Sequence, residues 1–105
     1  MKSEGQKQSQ KHEKRLAQVF DGRVVPASGA FWSAKGDVRA EGLLIEHKWT
    51  GKKSKTLQST ELKKIMLEAF MDGRLAVFGI HLDGENYVIL SETDFQEIWD
   101  KSQNA

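Results

Sequence analysis

Asp37, Glu46 and Lys48 are the residues whose types and spacing suit hydrolytic chemistry. They lie in one short stretch, Gly36 to Thr50, where the apolar run Leu43-Leu44-Ile45 is bracketed by charges. A tight turn at Glu41-Gly42 pairs position 40 with 43 and 38 with 45, which sets Asp37 directly across from Glu46. Lys48 joins them, because residues two apart in a strand share a face. Opposed side chains in an antiparallel pair have Cβ atoms roughly 4.5–5.5 Å apart, and like charges so placed are destabilising. A hard divalent cation offsets that cost, since Mg²⁺ takes one or two carboxylates and keeps several waters. The neighbouring ammonium then orients an attacking water or stabilises charge building on a phosphate. All of this depends on register, because a slip of one residue turns Asp37 to the other face.

The elements that must hold these groups can be read in order. Residues 1–11 have almost no apolar content and predict a disordered polar tail. From His12 to Phe20, the apolar Leu16, Val19 and Phe20 recur at helical spacing. Glu13 sits on or beside that stripe; an acid there is ordinarily a boundary residue favoured by the helix N-terminus. Asp21-Gly22 stops the helix, and Arg23-Val24-Val25 starts a short strand ending at Pro26. Ala27-Ser28-Gly29-Ala30 reads either as a flexible turn or as a loop whose backbone meets a phosphate, and Phe31-Trp32 as core edge or stacking surface. After the hairpin, the side chain of His47 points away from Glu46 and Lys48 if the strand alternates, and reads as structural or solvated.

Residues 50–59 form a basic loop, and Ser59 or Thr60 caps a helix in which Leu62, Ile65, Met66, Ala69 and Phe70 mark one stripe. The Met66 and Phe70 stripe reads as core. Asp72-Gly73 ends that helix, and Leu75 to Leu82 makes a second apolar strand, giving a strand-helix-strand crossover. Asp83-Gly84 turns the chain into Tyr87 to Leu90. Ser91 or Thr93 caps a last helix carrying Phe95, Ile98 and Trp99 on one face, with residues 102–105 fraying. The expected fold is α/β: a small mixed five-stranded sheet flanked by helices in the order αβββαββα, as one domain over residues 12–101.

Composition narrows the class. The chain has 105 residues, one proline and no cysteine, which excludes disulfides, thiolate zinc sites and a cysteine nucleophile. No apolar run approaches the ~20 residues of a membrane span, and the chain reads as soluble and cytoplasmic. A net charge of +1 hides an asymmetry. Residues 47–64 hold six lysines against Glu61, whereas residues 83–105 hold six acids against Lys101. The lysine-rich segment is either a solvated loop or the place where a polyanion lies.

The element order, with Asp37 before the hairpin turn and Glu46-His47-Lys48 after it, resembles the PD-(D/E)XK nuclease superfamily. Within it, the chain is similar to the small Holliday junction resolvases of archaeal type and their bacteriophage relatives. The similarity covers residues 12–99 and rests on a set: Glu13 in the first helix, Pro26 to Ala30 after the first strand, Lys35-Gly36-Asp37, and Leu44 to Thr50. Gly36 stands where the family usually has proline. The resemblance implies a restriction-endonuclease-like core, with Asp37, Glu46 and the His47 backbone carbonyl holding Mg²⁺, or Mn²⁺ in its place. It implies further that Glu13 is a candidate ligand, that Ser28 meets the phosphate and that Lys48 positions the water. Lys35, Lys52, Lys53, Lys55, Lys63 and Lys64 would touch DNA. Homodimerisation, action on branched DNA in recombination or repair, and residence in the cytoplasm, the host's if phage-encoded, follow from the same likeness. A same-fold nuclease that nicks DNA, cuts flaps or degrades duplex ends, and a non-catalytic nucleic-acid-binding or assembly module, are the alternatives.

Overall fold

The computed structural model describes residues 3–25 and 37–104. It is a small α/β domain: a five-stranded mixed sheet with three helices. The elements are α1 (Glu4–Val19), β1 (Arg23–Val24), β2 (Val38–Ala40), β3 (Leu43–Trp49), α2 (Ser59–Met71), β4 (Leu75–Leu82), β5 (Glu85–Ile89) and α3 (Glu92–Gln103). Strands lie in sequence order, β1 to β5. Only β3 and β4 run parallel, and α2 supplies the crossover that a parallel pair requires.

The β2–β3 register is the one the sequence predicts, with Val38 opposite Ile45 and Ala40 opposite Leu43. Gly42 closes the turn at φ 71°, a left-handed conformation that glycine adopts without steric cost. Successive residues of β3 then feed different cores. Leu44 joins Ile65 and Ala69 of α2 with Ala76 and Phe78 of β4, while Ile45 joins Leu16 of α1, Val38 and Val77 on the other face. Each such side chain contributes on the order of 1.5–3 kcal/mol when fully buried, so β3 ties both helices to the sheet.

Four expectations are corrected here. Residues 4–11 of the expected disordered tail belong to α1, which starts at Glu4. There the Ser3 hydroxyl accepts the Gln6 N–H at 3.2 Å and the Gln6 side chain accepts the Ser3 N–H at 2.9 Å. Two reciprocal bonds at the helix start satisfy donors that composition alone leaves unaccounted for. On α2 the cap is Gln58, whose N–H reaches the Glu61 carboxylate at 3.5 Å, so Ser59 and Thr60 lie inside the helix. Met66 and Phe70 are not core: they are 42% and 82% exposed, because the sheet covers only the Ile65–Ala69 side of the stripe. At the far end of the chain, α3 continues through Gln103 instead of fraying at 102, and it is Ser91 that caps it, accepting the Asp94 N–H at 3.1 Å.

The end of the sheet away from the charged cluster is locked by arginines. Asp72, at the C-terminus of α2, accepts from Arg39 of β2 and from Arg74 Nε at 2.6 Å, and Arg74 also donates to the Ala40 carbonyl. Those contacts hold the Asp72 carboxyl below its usual range, the Arg74 hydrogen bond foremost. The α1–β1 turn is equally tight, since a Cβ on Gly22 would run into the Arg39 carbonyl. We expect Leu44→Ala to lower stability by about 2–5 kcal/mol and Gly22→Ala by about 1–3 kcal/mol, measured by urea unfolding followed with circular dichroism. Stability unchanged in Leu44→Ala would contradict the central place given to β3.

Candidate active site

Asp37 sits one residue ahead of β2 and is fixed through three bonds. Its N–H donates to the Ile45 carbonyl at 2.8 Å, and its carbonyl accepts from Val25 at 2.9 Å. Its carboxylate accepts the backbone N–H of His47 at 2.7 Å. The last bond crosses from one hairpin arm to the other and aims the Asp37 side chain at the outgoing end of β3. Glu46 lies there, and Lys48 shares its face, with Nζ 3.8 Å from Glu46 Oε1. That distance is a loose ion pair at a half-buried site, worth little by itself.

Two grooves meet at Lys48. On the α2 side, a pocket of about 170 Å³ is lined by Glu46, Lys48, Glu61, Lys64, Glu68 and Phe78. On the α1 side, a broader groove of about 880 Å³ runs past Gln6, Gln10, Glu13 and Lys14 to Lys48 and Trp49. The site therefore occupies the C-terminal end of β3, between the two helices that β3 carries, the position at which open sheets commonly expose their chemistry.

The electrostatics bind the set together. Burial pushes the Glu46 carboxyl up from an ordinary 4.5 to about 7, and the Asp37 charge adds to it, while Lys48 and Lys64 oppose the rise. Glu13 is also pushed up to about 7, first by burial and then by Asp37 and Glu46, with Lys48 opposing. Asp37 is raised by burial despite the His47 hydrogen bond and the two lysines. Burial raises all three carboxyl groups, and the Asp37 charge adds to the rise at Glu13 and Glu46, which marks a site short of positive charge. Asp37 and Glu46 suit a hard cation of the Mg²⁺ kind, which needs one or two carboxylates and waters. Among the described residues no group of three or more histidine, aspartate or glutamate side chains is arranged as a metal cage.

The structure thus brings Glu13, Asp37, Glu46 and Lys48 together. Lys64 lines the site itself, whereas Lys52, Lys53 and Lys63 are exposed and Lys55 is half-buried. Ser28 and Lys35 lie outside the described residues. Glu61 and Glu68 went unnoticed in the sequence, and both reach the pocket from α2. Their spacing of seven, with Lys64 between them, is the signal that would have placed them on one face.

A layer of histidines backs the cluster, also unforeseen. The His47 side chain points away from Glu46, as alternation predicts, and stacks on His12 with ring centroids 5.0 Å apart. His81 lies 4.4 Å from His12 on a tilted ring. His12 and His47 are buried, and neither ring nitrogen of His47 has a partner. Burial, with His12 and Arg15 nearby, holds His47 down at about 4 and keeps it neutral. Gly79 lies across the ladder from His47 because a Cβ there would stand 3.1 Å from the imidazole.

No family model, no curated protein and no solved structure matches this chain, so its own residues carry the reading.

Raised carboxyl groups make stability depend on pH with a definite sign. Glu46 binds its proton more tightly folded than unfolded, so its contribution is fully present below pH 4.5 and is lost as pH rises towards 7. Relative to wild type, Glu46→Gln should therefore be about equally stable near pH 4.5 and progressively more stable up to pH 7 in metal-free buffer, as measured by denaturant midpoints across that window. A pH-independent difference between the two proteins would contradict the assignment.

Proposed function

We propose that this chain is a Mg²⁺-dependent DNA endonuclease on a restriction-endonuclease-like core, hydrolysing phosphodiesters at branched junctions such as four-way junctions. The observation that carries this reading is the convergence of Asp37, Glu46, Glu13 and Lys48 at one open sheet end, with three carboxyl groups whose proton affinities are all raised.

Asp37 and Glu46 would hold the ion, with the His47 backbone carbonyl as the further protein ligand that the resemblance implies. When bound, Mg²⁺ supplies an acidified water and neutralises phosphate charge. The residues themselves do the rest. The His47 N–H fixes one Asp37 oxygen, leaving the other free to face an ion. Lys48, loosely paired with Glu46, is free to swing towards a phosphate oxygen or to orient water, and its ammonium stabilises charge that grows during P–O cleavage. Glu13, with a carboxyl poised near neutrality, is placed to exchange a proton with water in the larger groove. The exposed Lys52, Lys53 and Lys63 supply a basic approach whose grip on the backbone weakens with salt and reads no sequence.

Labelled four-way junction, flap and linear duplex, each incubated with protein and Mg²⁺, test the reading. Wild type should cut the junction preferentially, and Asp37→Asn, Glu46→Gln and Lys48→Ala should each cut at least ~100-fold more slowly with junction binding retained. Equal cutting of all three substrates would leave a nuclease of the same fold without junction preference. No cleavage, with junction binding indifferent to Mg²⁺ and to the substitutions, would leave a non-catalytic binding module.

A further inference from the structure

The end of the sheet opposite the candidate active site holds a hollow that the proposed chemistry does not use. It is an open cavity of about 650 Å³, within the size range of small-molecule sites, where three tight turns converge. Two of them carry the same tripeptide, Asp21-Gly22-Arg23 between α1 and β1 and Asp72-Gly73-Arg74 between α2 and β4. The third is the β2–β3 turn, which the chain enters past Arg39. Nothing stands within 4 Å of where a Cβ on Gly42 or Gly73 would sit, so two of the turns leave open space at their glycines.

Arg23 and Arg39 are directly opposed partners on the β1–β2 ladder. Like charges so placed are destabilising, with Cβ atoms roughly 4.5–5.5 Å apart. Asp72 offsets that charge incompletely. It meets Arg39 Nη2 and Arg74 Nε through the same oxygen, Oδ2, so neither guanidinium is held by a two-pronged pair. Arg39 Nε is buried and has no partner. Among the described residues, the exposed Arg23 has no ion pair, and neither Asp21 nor Glu41, the other acids lining the hollow, pairs with any of the three arginines.

Guanidinium groups with donors to spare around one hollow suit a compact oxyanion, since each planar fork matches the spacing of two phosphate oxygens. An extended polyanion fits worse, because it would run past the exposed carboxylates of Asp21 and Glu41.

We propose that Arg23, Arg39 and Arg74 form a binding site for a single phosphate group, either inorganic phosphate or the phosphomonoester of a mononucleotide, lying between the three turns and offsetting the opposed arginines. The site is at the other end of the β2–β3 hairpin from Asp37 and Glu46, so it stands or falls apart from the nuclease reading. A ligand held by three turns at once favours the folded chain, and stability therefore reports its occupancy.

Calorimetric titration and thermal unfolding of the full chain in metal-free buffer provide the test, with inorganic phosphate in one arm and adenosine monophosphate in the other. Wild type should bind one phosphate group per chain with a Kd of about 1 mM or lower, and its unfolding midpoint should rise with ligand concentration. Arg23→Gln, at an exposed position without a partner, should keep the wild-type circular dichroism spectrum and weaken binding by about 10-fold or more. Lys48→Ala and Lys53→Gln should bind as wild type does, which separates the hollow from the candidate active site and from general attraction to surface charge. Binding in either arm that Arg23→Gln weakens supports the site, and the tighter arm identifies the source of the phosphate. No binding in either arm at about 10 mM ligand, binding indifferent to Arg23→Gln, or binding lost in Lys48→Ala overturns the proposal. So does affinity for duplex DNA that Arg23→Gln abolishes while neither small anion binds.

Discussion

The hydrogen bond from the His47 N–H to the Asp37 carboxylate is the contact on which the site depends. It joins the two arms of the β2–β3 hairpin where the ladder ends, and it fixes an acid against its electrostatic preference. Burial and neighbouring charge raise Asp37, Glu46 and Glu13 together, so in the absence of a cation the folded state holds these groups at a cost. That cost is sustained because β3 is anchored on both faces, by Leu44 into the α2 core and by Ile45 into the α1 core. A site that is destabilising alone and rigidly framed is preorganised for a positively charged occupant.

The histidine layer contributes from behind. His47 alternates with Glu46 and Lys48, so one peptide stretch presents charges to the grooves and a neutral imidazole to the α1 side. The stack of His12 and His47 fills the space between α1 and the sheet with rings that stay uncharged near neutral pH. The lysines that meet the carboxylates, Lys48 and Lys64, come from the solvent side, where a phosphate would also approach.

Much of this was legible in the residue order, and the failures have physical reasons. Period-two alternation from Val38 to Lys48 specifies which residues share a face, and the Glu41-Gly42 turn fixes the register, so the meeting of Asp37, Glu46 and Lys48 follows from sequence. The start of α1 does not, because a capping box between Ser3 and Gln6 is a local bond that low apolar content conceals. Met66 and Phe70 were misplaced because a helical stripe of five apolar residues is wider than the strip a two-sided small sheet can cover. The seven-residue spacing of Glu61 and Glu68 puts them on one face of α2, but their place at the site depends on how the β3–α2–β4 crossover lays α2 across Glu46. The same holds for the histidines, which are 35 and 34 positions apart in sequence and meet only because α1 crosses the end of β3 and β4.

Calorimetric titration of the protein with Mg²⁺ and with Mn²⁺ near pH 7.5, without DNA, addresses the carboxylate cluster most directly. Saturable binding of one ion per chain, with proton release and with loss of binding in the Asp37→Asn, Glu46→Gln double variant, is the expected result. No binding at millimolar metal, or binding that survives both substitutions unchanged, would contradict a cation site between these two acids.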